Sequence, residues 1–179
     1  MKKLDLFCEQ LVKRKKTVKD TLIIAAMFLT LVVIPVLGFV LSMLVNPYFM
    51  MVAIFVFALD IYFVWYVVTG RNIEYEYIVT NNNLTIDRVM AKRRRKRVIS
   101  LDIKNIDEMC TLGTKELSKG KCERVIFAGA TDFGEKEYQM KIYTEKFGNT
   151  LVVFSPNEKT LKAMKPFLKA QVALNIFRG

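Results

Sequence analysis

Six consecutive cations are the sharpest chemical feature of this 179-residue chain. They form the segment Lys92–Arg97 (Lys-Arg-Arg-Arg-Lys-Arg, here the basic run), which contains no acidic residue. The run lies between two segments that predict β-strands, so we expect it to project as a turn from one end of a sheet. Each cation near an anionic leaflet is worth about 1 kcal/mol. Contact with lipid headgroups is the favoured interpretation; the alternatives are a solvated loop and contact with an acidic protein.

A single carboxylate, Asp60, is the second candidate for chemistry because it lies inside a long apolar segment. A carboxylate within a membrane span costs about 2.5–3.5 kcal/mol on insertion scales, so it usually faces protein. Counted back from a tight turn at Asn46, Asp60 lies level with about Val32, which brings Thr30 within reach as a hydrogen-bond partner. The favoured role is a helix–helix contact, within one hairpin or between copies, and proton or ion handling is the alternative.

The residue types present give little support to enzymatic chemistry. The chain contains no histidine, which removes the commonest general base and the commonest metal ligand. Its three cysteines, Cys8, Cys110 and Cys122, lack metal-binding spacing and predict free thiols in a reducing compartment. No glycine-rich phosphate loop with its lysine occurs. We therefore expect no enzyme: no catalytic residue, no cofactor and no metal.

Two long apolar segments must position Asp60. Thr21–Val45 carries no charge, and Pro47–Gly70 carries only that one carboxylate. A helix needs about 20 apolar residues to cross about 30 Å of hydrocarbon, so each segment is long enough. Together they predict a transmembrane helical hairpin over residues 21–70, in which Gly38 could let the two helices approach closely.

Positive charge flanks this hairpin on one side only. Lysine and arginine crowd residues 1–20 and recur after the second segment at Arg71, Arg88 and the basic run, whereas the turn at Asn46 is uncharged. Lysine and arginine close to membrane spans stay on the cytoplasmic side. The sequence therefore predicts a multi-pass protein with both termini in the cytoplasm.

Residues 1–20 indicate a basic, amphipathic, cytoplasmic lead-in. Leu4, Phe7 and Leu11 recur at helical spacing with lysines between them. Such a helix could lie on an anionic leaflet with its apolar face down. An ordinary positively charged flank of the first span is the equally weighted alternative.

The period changes after Gly70, so residues 71–179 predict a separate cytoplasmic domain. Alternating residues predict seven strands: Ile73–Thr80, Leu84–Met90, Arg97–Leu101, Ile106–Leu112, Cys122–Ala128, Glu137–Tyr143 and Thr150–Phe154. Asn81–Asn83 and Glu145–Asn149 are expected turns, and Gly113–Lys121 an expected loop. Glu74 and Glu76 share the polar face of the first strand and are expected to be solvated.

A final helix is predicted from a capping box at Ser155–Glu158, with Ser155 as the N-cap. Pro166 falls inside the helical pattern. We expect it to divide the helix into Asn157–Lys165 and a second piece that ends near Phe177.

Seven short strands in two hairpin-rich groups, closed by a C-terminal helix, form the pleckstrin-homology (PH) pattern. The segments that carry the likeness are Ile73–Thr80, Asn81–Asn83, Leu84–Met90, the basic run, Val98–Ile106 and the helix start at Ser155. Over about residues 71–170 the chain resembles bacterial membrane-anchored proteins in which a PH-like domain follows a two-helix hairpin. The resemblance implies an α+β protein: two antiparallel transmembrane helices plus a cytoplasmic PH-like seven-stranded β-barrel or sandwich with a C-terminal helix. It assigns no catalytic or binding residue.

These expectations combine into one functional hypothesis. The chain is interpreted as a protein of the bacterial inner membrane that acts as a non-enzymatic interaction or lipid-sensing module. The cations Lys92, Arg93, Arg94, Arg95, Lys96 and Arg97 would contact anionic membrane lipids, and Asp60 and Thr30 would form an intramembrane polar contact. The alternative is an accessory subunit of a larger membrane complex, such as a transporter or secretion assembly. A protein partner or homo-oligomer stays open, and nucleic acid is not expected.

Overall fold

The computed structural model describes residues 6–112, 122–130, 136–144 and 148–177. It divides into two compact units. One is helical and spans Lys16–Asn72; the other combines Met1–Lys15 with Ile73–Gly179. The helical unit is therefore an insertion in the chain of the second unit, here called the β unit.

The described residues of the β unit form eight strands in two sheets. The strands are β1 (Phe7–Lys13), β2 (Ile73–Thr80), β3 (Asn83–Met90), β4 (Arg94–Asp102), β5 (Ile106–Thr111), β6 (Arg124–Phe127), β7 (Tyr138–Thr144) and β8 (Gly148–Phe154). The first sheet has the order β1-β2-β3-β4 and the second has the order β5-β7-β8-β6. Neighbours are antiparallel except β6 and β8, which run parallel. Of the predicted seven-stranded barrel or sandwich, the closed barrel is wrong, because the described strands form two separate four-stranded sheets.

The eighth strand, β1, comes from the N-terminal arm. Residues 7–13 do not form part of the amphipathic helix that residues 1–20 suggested, because they pair in antiparallel register with β2 from Phe7 opposite Thr80 to Lys13 opposite Glu74. Alternation explains the strand: Val12 is buried in the core, whereas Leu11 is 60% exposed on the other face. The domain that was predicted to begin at residue 71 thus includes the arm.

Gln10 shows why β1 is integral to the fold. Its side-chain amide donates to the Ser155 carbonyl at 3.0 Å. Its carbonyl oxygen accepts from the Asn157 backbone N–H and from the Thr160 hydroxyl, both at 2.8 Å. One side chain of the first strand thereby ties β1 to the segment that follows β8.

Tyr77 links the two sheets at the centre of the core. Its ring is fully buried and meets Phe154 edge-on, with ring centroids 5.8 Å apart. Its hydroxyl donates to the Ala128 carbonyl and accepts from the Ser155 N–H at 3.2 Å. A buried phenol needs such partners, because an unsatisfied hydroxyl would cost about 1–3 kcal/mol.

The local turns agree in part with the predictions. Asn81, at φ 53°, turns the chain between β2 and β3, in the segment where a turn was expected. The predicted loop Gly113–Lys121 and part of the predicted turn Glu145–Asn149 lie outside the described residues.

The C-terminal segment divides near Pro166, as the sequence predicted. Helix α3 covers Glu158–Met164, a 3-10 turn covers Lys165–Phe167, and α4 covers Ala170–Phe177. The predicted N-cap was wrong by two residues. Asn157 caps α3 by accepting from the Thr160 N–H at 2.8 Å, because the Ser155 hydroxyl instead accepts from the Ala130 N–H at 3.0 Å.

The helical unit is an antiparallel hairpin. Its helices are α1 (Val18–Leu44) and α2 (Tyr48–Gly70), which are long and apolar enough to cross a membrane by length and composition. Gly38 lies where the helices approach closely: a Cβ built on it would fall 2.2 Å from the Ala53 Cβ. This small residue therefore sets the helix–helix distance at that level.

Adding a methyl group at this crossing should loosen the hairpin. We expect Gly38→Ala to lower the free energy of unfolding of the helical unit by about 1–3 kcal/mol, the usual cost of overpacking. Detergent titration followed by the fluorescence of Trp65, the chain's single tryptophan, measures this. The control is Gly38→Ala combined with Ala53→Gly, which moves the methyl across the crossing and should recover most of the loss. Equal stability of Gly38→Ala and the wild type would contradict the close approach.

A second prediction concerns the contribution of β1. Replacing residues 15–72 with Asn-Gly should give a soluble β unit, since the Arg14 N–H already meets the Ile73 carbonyl at 3.0 Å and Asn-Gly favours two-residue hairpins. We expect this chain to melt cooperatively with β-sheet circular dichroism. The fragment 71–179, which lacks β1 and Gln10, should melt at a lower temperature or fail to fold. Identical melting of the two chains would show that β1 is dispensable.

Candidate functional site

The basic run is divided between a turn and a strand. Only Ala91–Arg93 form the turn between β3 and β4, and Ala91 and Lys92 adopt positive φ angles of 52° and 56°. The remaining four cations, Arg94–Arg97, begin β4 and pair with β3. The predicted projecting turn of six cations is therefore wrong: Lys92 and Arg93 lie in the turn, and the other four cations lie in β4, of which Arg94 is the first residue.

Two of these arginines are partners of buried carboxylates. Arg95 lies 3.0 Å from Glu76, and Arg97 lies 3.5 Å from Asp87. Glu76 and Asp87 are directly opposite each other on β2 and β3, and only 3% and 5% exposed. We call these four side chains the clasp. The expectation that Glu76 would be solvated was wrong, because the arginines of β4 cover it.

The clasp leaves Glu76 in an unfavourable environment for its charge. Burial raises the pKa of Glu76 above its ordinary value of 4.5. A side-chain hydrogen bond with Glu9 and the negative charges of Glu9 and Asp87 raise this pKa further, whereas Arg95 opposes the shift. The clasp thus places two arginines beside two buried carboxylates, with Glu9 as a further acidic neighbour of Glu76.

The other cations of the run lie away from the clasp. Strand alternation directs Lys96 to the face opposite Arg95 and Arg97, and its register partner is Arg88. Lys92, Arg93 and Arg94 are exposed at the end of the β3–β4 hairpin.

This hairpin end coincides with the beginning of β2. Ile73, the first residue of β2, is opposite Met90, and Met90 is in turn opposite Arg94. The tip of the β3–β4 hairpin therefore lies at the sheet end where the chain arrives from α2, with only Arg71 and Asn72 between α2 and β2.

Asp60 and Thr30, which the sequence singled out, are in contact inside the helical hairpin. The Thr30 hydroxyl lies 3.2 Å and 3.1 Å from the two carboxylate oxygens of Asp60. The same hydroxyl lies 2.7 Å from the Met27 carbonyl, its own helix backbone. A hydroxyl has one hydrogen to donate, so these oxygens share it. The arrangement joins α1 to α2.

Sequence reasoning missed an ion pair at the open end of the hairpin. Asp20, which is 7% exposed, accepts from Arg71 at 2.9 Å and from the Thr17 N–H at 3.1 Å. Thr17 and Asp20 form a capping box at the start of α1. The signal was present: Thr-x-x-Asp precedes one apolar segment, and an arginine follows the other. This pair ties the first turn of α1 to the end of α2.

A groove in the described part of the β unit is lined in part by polar side chains that have structural hydrogen bonds. A groove of about 570 Å³ lies between β1 and the C-terminal helices and includes Gln10, Tyr138 and Phe177 in its lining. The Gln10 amide there is already committed to three hydrogen bonds. Within the described ranges, no group of three Cys, Asp or Glu side chains is arranged to hold a metal ion.

Comparison with known proteins relates the chain to a family of PH-like domains. A family model described as a bacterial PH-like domain (DUF6106) matches residues 4–174. This range includes β1 and the helical insertion as well as the later strands, so the similarity extends over nearly the whole chain. Neither the curated proteins nor the solved structures contain a match.

The raised pKa of Glu76 predicts a pH dependence of stability. A carboxyl whose folded pKa exceeds the unfolded value binds its proton more tightly when folded. Its contribution is therefore complete below about pH 4.5 and is lost as the pH rises through the folded pKa. We expect the wild type to lose unfolding free energy relative to Glu76→Gln as the pH rises from 4.5 to 7. Urea unfolding of the β unit at several pH values measures this.

Glu74→Gln is the matched control, since it removes a carboxylate from the same face of the same strand. Glu76→Gln should change the slope of the unfolding free energy against pH by more than this control does. Parallel slopes for the wild type and Glu76→Gln would show that Glu76 does not titrate differently on folding.

Proposed function

The chain belongs to the bacterial PH-like domain family over nearly its whole length, and from this membership we propose that it is a membrane-anchored, non-enzymatic interaction or lipid-sensing module. In this proposal α1 and α2 cross the bacterial inner membrane, and both termini are cytoplasmic. The β3–β4 turn docks the β unit on anionic headgroups of the inner leaflet.

The composition and charge of the helical unit support the anchor. Its two helices are 27 and 23 residues long, and about 20 apolar residues suffice to cross the hydrocarbon core. Most of their large apolar side chains are not covered by other residues of the protein, as expected of surfaces that contact lipid. The turn at Asn46 is uncharged, whereas lysine and arginine flank the other ends of both helices, which favours the cytoplasmic orientation.

The position of the β3–β4 turn carries the docking proposal. Three residue steps separate Gly70, the end of α2, from Ile73, and an extended chain covers at most about 11 Å in that distance. Ile73 is in register with Met90, the residue before the turn. The exposed cations at the tip are therefore at the tethered end of the sheet. At this range they can reach the field of an anionic leaflet, which extends about 8–10 Å at physiological salt.

A non-enzymatic role is supported by the way the polar groups are used. The chain has no histidine, and several buried polar side chains of the β unit serve as links between elements. Tyr77, Ser155 and Gln10 bond to backbone groups of neighbouring segments. None of these bonds joins a nucleophile to a general base, which is the arrangement that covalent catalysis requires.

The alternative role, as an accessory subunit of a larger membrane complex, has less support. That interpretation used Asp60 as a polar contact to another chain, which a buried carboxylate in a span would seek. Thr30 supplies a partner within the same hairpin. Asp60 therefore does not require a second protein to satisfy it.

Docking can be tested with the full chain in nanodiscs that contain headgroup-quencher lipid. A fluorophore is attached to Ala91→Cys, with Cys8, Cys110 and Cys122 replaced by serine. At about 0.01 M salt we expect strong quenching in anionic discs and weak quenching in neutral discs. This difference between the two lipids should disappear at about 1 M salt, because the Debye length falls from about 30 Å to about 3 Å.

The control label is Asn83→Cys, at the opposite end of β3. Eight residues of strand place it about 24 Å from the tip, so it should be quenched weakly in both lipids. Equal quenching of the Ala91 label in anionic and neutral discs would refute headgroup docking.

A further inference from the structure

We infer that the docking surface consists of two separate basic segments, the β3–β4 turn and the end of β1, and that Arg95 and Arg97 are excluded from it. This inference rests on the proposed function and specifies which side chains perform it. It replaces the continuous basic run with cations brought together by strand pairing, namely Lys13, Arg14, Lys15, Lys92, Arg93 and Arg94.

The register of the first sheet brings the two segments to one end. Lys13 is opposite Glu74, and the Arg14 N–H meets the Ile73 carbonyl at 3.0 Å. Ile73 is opposite Met90, which is opposite Arg94. The end of β1, the beginning of β2 and the turn after β3 therefore lie at the same end of the first sheet, here called the edge.

Charge is concentrated at this edge. Lys13 and Lys15 are exposed at the end of β1, and Lys92 and Arg94 are exposed at the other segment. Among the described residues 13–15, 73–74 and 90–94, Glu74 is the one acidic side chain, and it lies opposite Lys13. The surplus of cations fits an anionic lipid surface. Both strands that carry the chain into and out of the helices end here, so the edge is held to the anchor by two linkers.

The clasp explains why Arg95 and Arg97 do not take part. A cation gains about fivefold in binding by reaching an anionic leaflet. Removing the partner from a fully buried charge costs more than a hundredfold. The arginines here are 59% and 68% exposed, which weakens the pairs. Even half of the free-energy penalty for a buried pair, about tenfold, exceeds the fivefold gain, so the arginines stay with Glu76 and Asp87.

Three charge-matched double variants test the inference in full-length protein, with the Ala91→Cys label in anionic nanodiscs at low salt. K92Q/R94Q removes two cations from the turn, K13Q/K15Q removes two from β1, and R95Q/R97Q removes two from the clasp. We expect each of the first two to weaken the docking equilibrium, by up to about 25-fold for two cations. R95Q/R97Q should dock within about twofold of the wild type.

The clasp variant could fail to fold, because it leaves two buried carboxylates without partners. The quadruple variant E76Q/D87N/R95Q/R97Q avoids this problem, since it neutralises both halves and keeps the wild-type net charge. It should also dock like the wild type. Circular dichroism of each variant verifies that the sheets are formed.

The outcomes separate this inference from the proposed function. If K92Q/R94Q weakens docking and K13Q/K15Q does not, β1 is no part of the surface and the inference fails, while headgroup docking stands. A loss in the quadruple variant equal to that in K92Q/R94Q would assign docking to the continuous basic run and would also overturn the inference. Failure of all variants to change quenching would refute the proposed function itself.

Discussion

The pairing of β1 with β2 is the constraint on which the other features of this protein depend. These strands are neighbours in the sheet but are separated in the chain by the whole helical unit. Closing so long a loop carries an entropic cost that increases slowly with length, and a helical hairpin reduces it further because its two ends already lie together. The Asp20–Arg71 ion pair holds together the two ends of the hairpin, where the chain enters and leaves the helical unit. Formation of the helical hairpin therefore favours the pairing of β1 with β2, and this pairing in turn favours the hairpin.

The hairpin keeps its register through contacts of different kinds along its length. The ion pair lies at the open end, the Thr30–Asp60 hydrogen bonds lie further along, and the Gly38–Ala53 approach lies nearer the turn. Dispersion between apolar surfaces is non-directional and would allow the helices to slide. Polar bonds and a close backbone approach have one best alignment, so a few such contacts can specify the register in a largely apolar interface.

Sequence patterns predicted those parts of the fold whose partners are close in the chain. The β2–β3 hairpin and the division of the last helix near Pro166 follow from local alternation and from the missing proline N–H. The arm was misassigned because Leu4, Phe7 and Leu11 fit a helical period, while its inward-facing positions include the polar Gln10. Only the distant Ser155 and Asn157 show what Gln10 does there. The N-cap was misplaced for a similar reason. Ser155 and Asn157 can both cap a helix, but the Ser155 hydroxyl accepts from the Ala130 N–H, which is distant in the chain.

The basic run shows most clearly how tertiary pairing changes the meaning of a sequence pattern. As a string it is six equivalent cations, yet β-strand alternation and the register with β3 divide it into different electrostatic environments. Arg95 and Arg97 lie over carboxylates whose own burial is tolerable only with a counter-ion nearby, so their charge is balanced within the fold. At the tip, Lys92 and Arg94 lie on an exposed edge that Lys13 and Lys15 make more basic. The local positive charge at this end of the first sheet therefore depends on which cations strand pairing gathers there, rather than on the number of cations in the run.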